Sequence, residues 1–218
     1  MLLQGKVVIV SGIGPGLGQE LAVLAAREGA EAVVLAARTA QKLDAAEDDI
    51  KALGLATKVL KVATDISDQA QCQALADRAM QAFGRIDVLF NSAYDPGTFE
   101  PIKDANLDGW RRSMSVNFFG TMQLTLACVP AMIAAGGGAV VMIGTMVEHK
   151  PLATQGGYGA SKSALRSATK HLALELGQYG IRVNSCHMGW MWGPAVAGYF
   201  AWQSSQSGKT QQELIAEV

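Results

Sequence analysis

The sequence predicts a single α/β domain built on a doubly wound parallel sheet with helices on both faces. Three observations carry that prediction. Short β-branched runs alternate with stretches of helical periodicity, a glycine-rich turn separates the first run from the first helix, and 218 residues at 22.9 kDa fit one such domain rather than two in tandem.

Lys6 to Val10 is apolar and β-branched and reads as the first strand, Gly12 to Gly18 as a turn, and Gln19 to Glu28 as a helix with apolar residues at helical spacing. The order repeats with strands at Ala32 to Ala36, Thr57 to Ala63 and Asp87 to Phe90, and helices at Ala40 to Leu53 and Asp68 to Phe83. A long helix over Leu107 to Ala135, a strand at Ala139 to Ile143, a helix from Tyr158 to Gln178 and a strand at Arg182 to Cys186 complete six strands. Met188 to Gly208 changes character, with Gly, Pro and three of the four tryptophans, and reads as a mobile flap over a site at the carboxyl ends of the strands. The whole of 1–218 is one nucleotide-binding domain on this reading, with 188–208 as its substrate-side flap.

Composition narrows the partners. Half the residues are apolar, 17% are charged and the mean hydropathy is +0.18, so the chain can bury a substantial core. Eighteen basic against nineteen acidic residues give a net charge of −1, which offers no basic excess for nucleic acid or an anionic membrane surface. No uninterrupted apolar run of about 18 residues occurs. Three widely spaced cysteines, Cys72, Cys128 and Cys186, form neither a disulfide framework nor a C-x-x-C motif, and read as buried thiols in a reducing cytoplasm.

The turn Ser11-Gly12-Ile13-Gly14-Pro15-Gly16-Leu17-Gly18 lies between a strand and a helix, the setting in which a glycine string holds a pyrophosphate. Glycine lets the backbone approach the phosphates, and free N–H groups at the helix start attract the anion. Gly12, Pro15, Gly16, Leu17 and Gly18 are therefore assigned to a dinucleotide. NAD-binding folds place an acid roughly 20 residues on, against the ribose 2′-hydroxyl. Here the second strand ends Ala36-Ala37-Arg38, with no carboxylate and a guanidinium suited to a 2′-phosphate, so NADP is expected in preference to NAD. Asp65-Ile66 closes the third strand, where Asp65 can meet the adenine amino group or equally serve as a turn residue before Ser67.

Tyr158 and Lys162 are four apart on a predicted helix, which sets phenol and ammonium on one face. Thr145 precedes Tyr158 by 13 residues at the end of the fifth strand, and Asn117 lies 41 residues before Tyr158 in Ser115-Val116-Asn117. With the glycine loop, Asp65, Asn91-Ser92-Ala93 and Tyr158-x-x-x-Lys162, the chain resembles the short-chain dehydrogenase/reductase family over essentially its full length. The resemblance implies a Rossmann-like sheet that binds NAD(P), reversible hydride transfer between a ketone and a secondary alcohol, and a homodimer or homotetramer. It also implies Tyr158 as acid/base, Lys162 on the ribose and tuning the tyrosine, Asn117 in a water relay, Thr145 in place of the usual serine, and Asn91 and Ala93 against the cofactor. A free phenol titrates near 10, so proton transfer at neutral pH calls for a downward shift of about three units, or about 4 kcal/mol. Hydride transfer belongs to the nicotinamide, and no metal is needed.

The sequence departs from the family pattern in four places. Gly144-Thr145 replaces a serine pair, Tyr94 follows Asn91-Ser92-Ala93 where glycine is usual, and Met188-Gly189 and Gly193 replace residues near the carboxamide, where Met191 can still offer backbone groups. Family members also continue into a further helix and a seventh strand, so the C-terminal strand is expected to be missing from this chain. The substrate is expected to be bulky and apolar, met by Tyr94, Met146, Trp190 and Trp192, because the stretch between Arg182 and Lys209 holds no Lys or Arg and several aromatics. A cofactor-binding regulator of the same fold is the alternative. His149 is read as a solvated loop residue, and His171 and His187 as lacking any partner at metal spacing.

Overall fold

The computed structural model describes residues 1–217 and bears out the α/β prediction. Six parallel strands, β1 (Val7–Ser11), β2 (Ala32–Ala37), β3 (Lys58–Ala63), β4 (Val88–Asn91), β5 (Gly138–Thr145) and β6 (Ile181–Met188), form one sheet in the order β3-β2-β1-β4-β5-β6. β1 lies between β2 and β4, so the chain order reverses there and leaves a crevice beyond the carboxyl ends of β1 and β4. Every residue of β1 is buried, because alternate side chains point to two different cores.

On one face Val7 and Ile9 pack with α3 (Gln69–Phe83), α5 (Thr121–Ala134) and α6 (Gly156–Leu176) through Leu75, Leu124, Met132 and Leu165. On the other, Val8 and Val10 pack with α1 (Leu17–Arg27) and α2 (Ala40–Ala52) through Ala22, Leu43 and Ile50. Each large side chain buried in this way contributes about 1.5–3 kcal/mol. This second layer spans only half of the sheet, and Phe90, Val141 and Asn184 of β4 to β6 line an open trough of about 500 Å³. Asp87 fixes the start of β4: burial raises its pKa, but the Arg85 guanidinium and the Val7 N–H outweigh burial and hold it below the usual carboxylate range.

Three departures from the sequence reading bear on the site. The predicted helix over 107–135 is α4 (Leu107–Met114) and α5 joined by a π-helical turn at Ser115–Gly120 that contains Asn117. Gly120 explains the close fit there, since a Cβ would come within 2.8 Å of the Ile66 carbonyl. The joined run Leu107–Ala134 has the length and apolarity of a membrane span by composition, but 39% of its most apolar window is buried in the domain, where Leu124, Cys128 and Met132 enter the core. The segment read as a flap contains a helix that the sequence reading did not assign: Pro194–Ser207 is α7, started by Pro194 and stopped by Gly208 in the left-handed conformation, followed by α8 (Gln211–Ala216). Cys72 and Cys128 are buried as expected, whereas Cys186 is exposed because it lies on the uncovered face of β6.

Candidate active site

The glycine loop is anchored at both ends. Gly12 and Ile13 donate their N–H groups to the Ala36 carbonyl of β2, at 2.9 and 3.2 Å. A Cβ at Gly12 would overlap the Ala93 backbone, and one at Gly18 would overlap the Gly12 carbonyl, so these two glycines let β1, β4 and α1 meet. Gly16 differs: its φ of 114° requires glycine, yet a Cβ there would meet nothing within 4 Å. α1 begins directly after it with no side-chain cap, so its first-turn N–H groups face the crevice, with exposed Pro15 and half-buried Leu17 on the rim.

Lys42, in the first turn of α2, also belongs to this region: its Nζ would stand 3.7 Å from a Gly14 Cβ. Sequence reasoning misses Lys42 because it sits in a charged helix that reads as a solvated face. Arg38 is exposed where β2 ends, with no acidic side chain at Ala36 or Ala37. Asp65 uses Oδ1 to accept from the Ser67 N–H and hydroxyl, which is the turn role left open above. Ile66 is buried under Gly120. The Asn91 side chain turns into the core, where Nδ2 donates to Thr125 Oγ1 at 3.0 Å, so only the backbone of Asn91 to Ala93 faces the loop.

Tyr158, Lys162 and Thr145 come together at the carboxyl end of β5. Trp110 of α4 presses against Gly156 and Gly157, where a Cβ would come within 2.8 Å of its ring, and this fixes the start of α6 just before Tyr158. The Thr145 hydroxyl lies beside the phenol, on the side that favours the phenolate. Burial raises the Tyr158 pKa above its ordinary value, the Thr145 hydroxyl opposes this, and Tyr94 and Glu148 add to the rise. This is opposite in sign to the shift that the sequence reading calls for. Lys162 is buried, and its Nζ donates to the Ile143 carbonyl at 2.6 Å; burial brings its pKa down to about 8, with Glu148 opposing.

Asn117 is wholly buried with its side-chain amide already engaged. Oδ1 accepts from the Asp95 N–H at 2.8 Å, and Nδ2 donates to the Asp95 carbonyl at 2.8 Å and to Ser161 Oγ at 2.9 Å. Ser161 in turn donates to the Tyr158 carbonyl, so Asn117 ties the Tyr94–Asp95 loop to the helix that carries Tyr158 and Lys162.

The aromatic residues divide into two groups. Trp190 stacks on Tyr199 and packs against Phe200, each at 5.2 Å, as part of a small core within the α7 segment. Trp192 is 66% exposed, Tyr94 is 54% exposed and Met191 is exposed, while the Met146 sulfur lies against Gly189 just after β6. His149 is exposed in its loop as read, but His187 does not lack a neighbour: the two rings lie 5.1 Å apart beside Glu148, because β5–β6 pairing sets His187 opposite Gly144.

Residues 6–204 match the family model described as short chain dehydrogenase. Cyclohexanol dehydrogenase of Acinetobacter sp. (strain SE19) is 33% identical over 196 residues, which cover 89% of this chain and 76% of that relative. The crystal structure of levodione reductase superposes with a TM-score of 0.89 at 28% identity, over 97% of this chain and 80% of the other. That of NAD+-bound xylitol dehydrogenase gives 0.88 at 29% identity, over 94% and 78%. The match over nearly the whole chain, together with the strand order and the glycine loop, makes this protein a member of the short-chain dehydrogenase/reductase family.

Proposed function

We propose that the protein interconverts a bulky apolar ketone and its secondary alcohol with an NADP cofactor, and that Tyr158 is the acid/base. The observation that carries this reading is the gathering of Tyr158, the Thr145 hydroxyl and buried Lys162, whose Nζ is held by the Ile143 carbonyl, at the same end of the sheet as the glycine loop. A nicotinamide cofactor fits the residues present, since Gly16 leaves open space at an uncapped helix start, and it supplies the hydride donor or acceptor. In the reducing direction Tyr158 gives its hydroxyl proton to the carbonyl oxygen. A phenol whose pKa is raised stays protonated, the competent form for that step. Thr145 donates to the developing alkoxide, and Lys162 uses its remaining N–H donors on ribose hydroxyls. Asn117 acts by holding the Asp95 loop and Ser161 in register.

The preference for NADP rests on Arg38 and the missing acid, and Lys42 strengthens it by adding a second cation near the loop. NADPH is expected to bind at least about tenfold tighter than NADH, or about 1.4 kcal/mol. Ala37→Asp should level or reverse the order, because a carboxylate repels the 2′-phosphate. Fluorescence titration of both cofactors decides it, and equal wild-type affinities would overturn the assignment.

For the substrate, exposed Trp192 and Tyr94 with no Lys or Arg between Arg182 and Lys209 favour an apolar ring or chain. A relative named for cyclohexanol agrees with this class. A panel of ketones of increasing apolar size should show rising kcat/KM. Trp192→Ala should flatten that trend by about tenfold for the largest, the worth of roughly 50 Å² of lost burial. A preference for small anionic substrates that Trp192→Ala leaves unchanged would exclude the flap from recognition. Phe119, Leu126 and Ile133 form an exposed apolar stripe with seven-residue spacing along the helix, and a second copy of this chain is the partner we propose for it, in a homodimer or homotetramer.

A further inference from the structure

In the short turn that follows Thr145 lies a carboxylate that the reaction does not use. The Glu148 side chain is 0% exposed. Its Oε1 accepts the Thr145 N–H at 2.9 Å and closes a reciprocal cap on the short turn that follows β5. Its Oε2 has no hydrogen-bond donor from the backbone and lies 3.3 Å from His187 Nδ1 and 3.6 Å from Arg166 Nε. A carboxylate this far from water keeps its charge only when cations compensate it.

The surroundings are built for that purpose. Arg166 approaches from α6 and His187 from β6, where Ser185 Oγ stands 3.0 Å from His187 Nε2 and orients the ring. Gly144 makes the room, since a Cβ there would stand 2.8 Å from Glu148 Oε1 and 3.0 Å from His187 Nδ1. The glycine found where the family has a serine is therefore the complement of the Glu148–His187 pair. Glu148, His149 and His187 also bring three ligand atoms within 4.8 Å of one another. The Arg166 guanidinium, however, lies against both the carboxylate and His149 Nδ1, at 3.4 Å from the latter, and sets a fixed positive charge where a metal ion would bind.

We propose that Glu148 is a positioning residue for the reaction: Oε1 holds Thr145 in place, and the charge on the carboxylate, balanced by Arg166, biases proton exchange at Tyr158. This rests on Tyr158 being the acid/base. The carboxylate faces Tyr158, Lys162 and Arg166 of α6, His187 of β6 and His149 of its own turn, while Tyr94 faces Tyr158 from the loop after β4. After burial, Tyr94 and then Glu148 raise the phenol against the Thr145 hydroxyl, and Glu148 supports the Lys162 ammonium against its burial. Neutralising Glu148 therefore makes the phenolate easier to form.

The test is the pH dependence of kcat/KM for alcohol oxidation in wild type, Glu148→Gln, Arg166→Gln and Tyr158→Phe. Glu148→Gln keeps an oxygen for the Thr145 N–H and removes only the charge. It should move the limb governed by the phenol to lower pH by about one unit, with KM for the cofactor within about twofold. Arg166→Gln, at a partly exposed side chain, strips the balancing cation and should move the limb the other way, which keeps the test open if Glu148→Gln does not fold. An inactive Tyr158→Phe together with unshifted limbs would overturn this inference alone. Substantial activity in Tyr158→Phe would overturn the reading of the site and this inference with it.

Discussion

Replacing Tyr158 by phenylalanine is expected to lower kcat by about 10²–10⁴-fold, the range for removal of a positioned acid/base, with cofactor affinity nearly unchanged. The ring remains in the half-buried site at the start of α6, so packing against the Trp110 side of the helix is kept and only the proton donor to the carbonyl is lost. Thr145 keeps its acceptor role toward the Val147 N–H, so the turn after β5 stays formed. Steady-state rates with a reactive ketone, beside a cofactor titration, check both halves. Retention of more than about a tenth of wild-type kcat would remove Tyr158 from the acid/base role.

Lys162→Met is expected to cost about 10²-fold or more in kcat/KM and to weaken cofactor binding about tenfold, because one ammonium is assigned both to the ribose and to the electrostatics of Tyr158. The fold should tolerate it. A buried ammonium whose pKa falls to about 8 is a costly group, and replacing it with an apolar side chain of similar length is close to neutral for stability. Thermal unfolding should therefore stay near wild type while activity falls. A loss of rate with unchanged cofactor affinity would remove the ribose contact. A large drop in melting temperature would mean that the bond to the Ile143 carbonyl serves the fold first.

The features legible in the sequence are those written in local pattern. The strand–turn–helix around Gly12 to Gly18 and the continuous apolar run of β1 needed only neighbouring residues, as did the four-residue spacing of Tyr158 and Lys162. What stayed hidden depends on register between distant segments. Glu148 and His187 are 39 residues apart, and only the pairing of Gly144 with His187 across β5 and β6 brings them together. The turn at Asn117 is π-helical because Gly120 fits under Ile66, a contact between segments that helical periodicity does not report. The helix α7 could have been found, since Pro194 and Gly208 bracket it at the positions where helices start and stop, but the aromatic and glycine content of the segment masks them. The rise in the Tyr158 pKa was unreadable because burial, its largest cause, is a property of the packed site rather than of the helix that carries the residue.

The most direct test of the central claim, that this site moves a hydride to a ketone under control of Tyr158, is a single turnover with NADPH deuterated at the transferring carbon and a cyclic ketone. Mass spectrometry of the alcohol reads the outcome. Wild-type protein should yield alcohol carrying deuterium at the carbinol carbon in proportion to enzyme, and Tyr158→Phe, loaded with the same cofactor, should yield almost none. Cofactor bound by both proteins with no deuterated alcohol from either, across the panel of ketones, would contradict the claim and leave a cofactor-binding regulator of this fold.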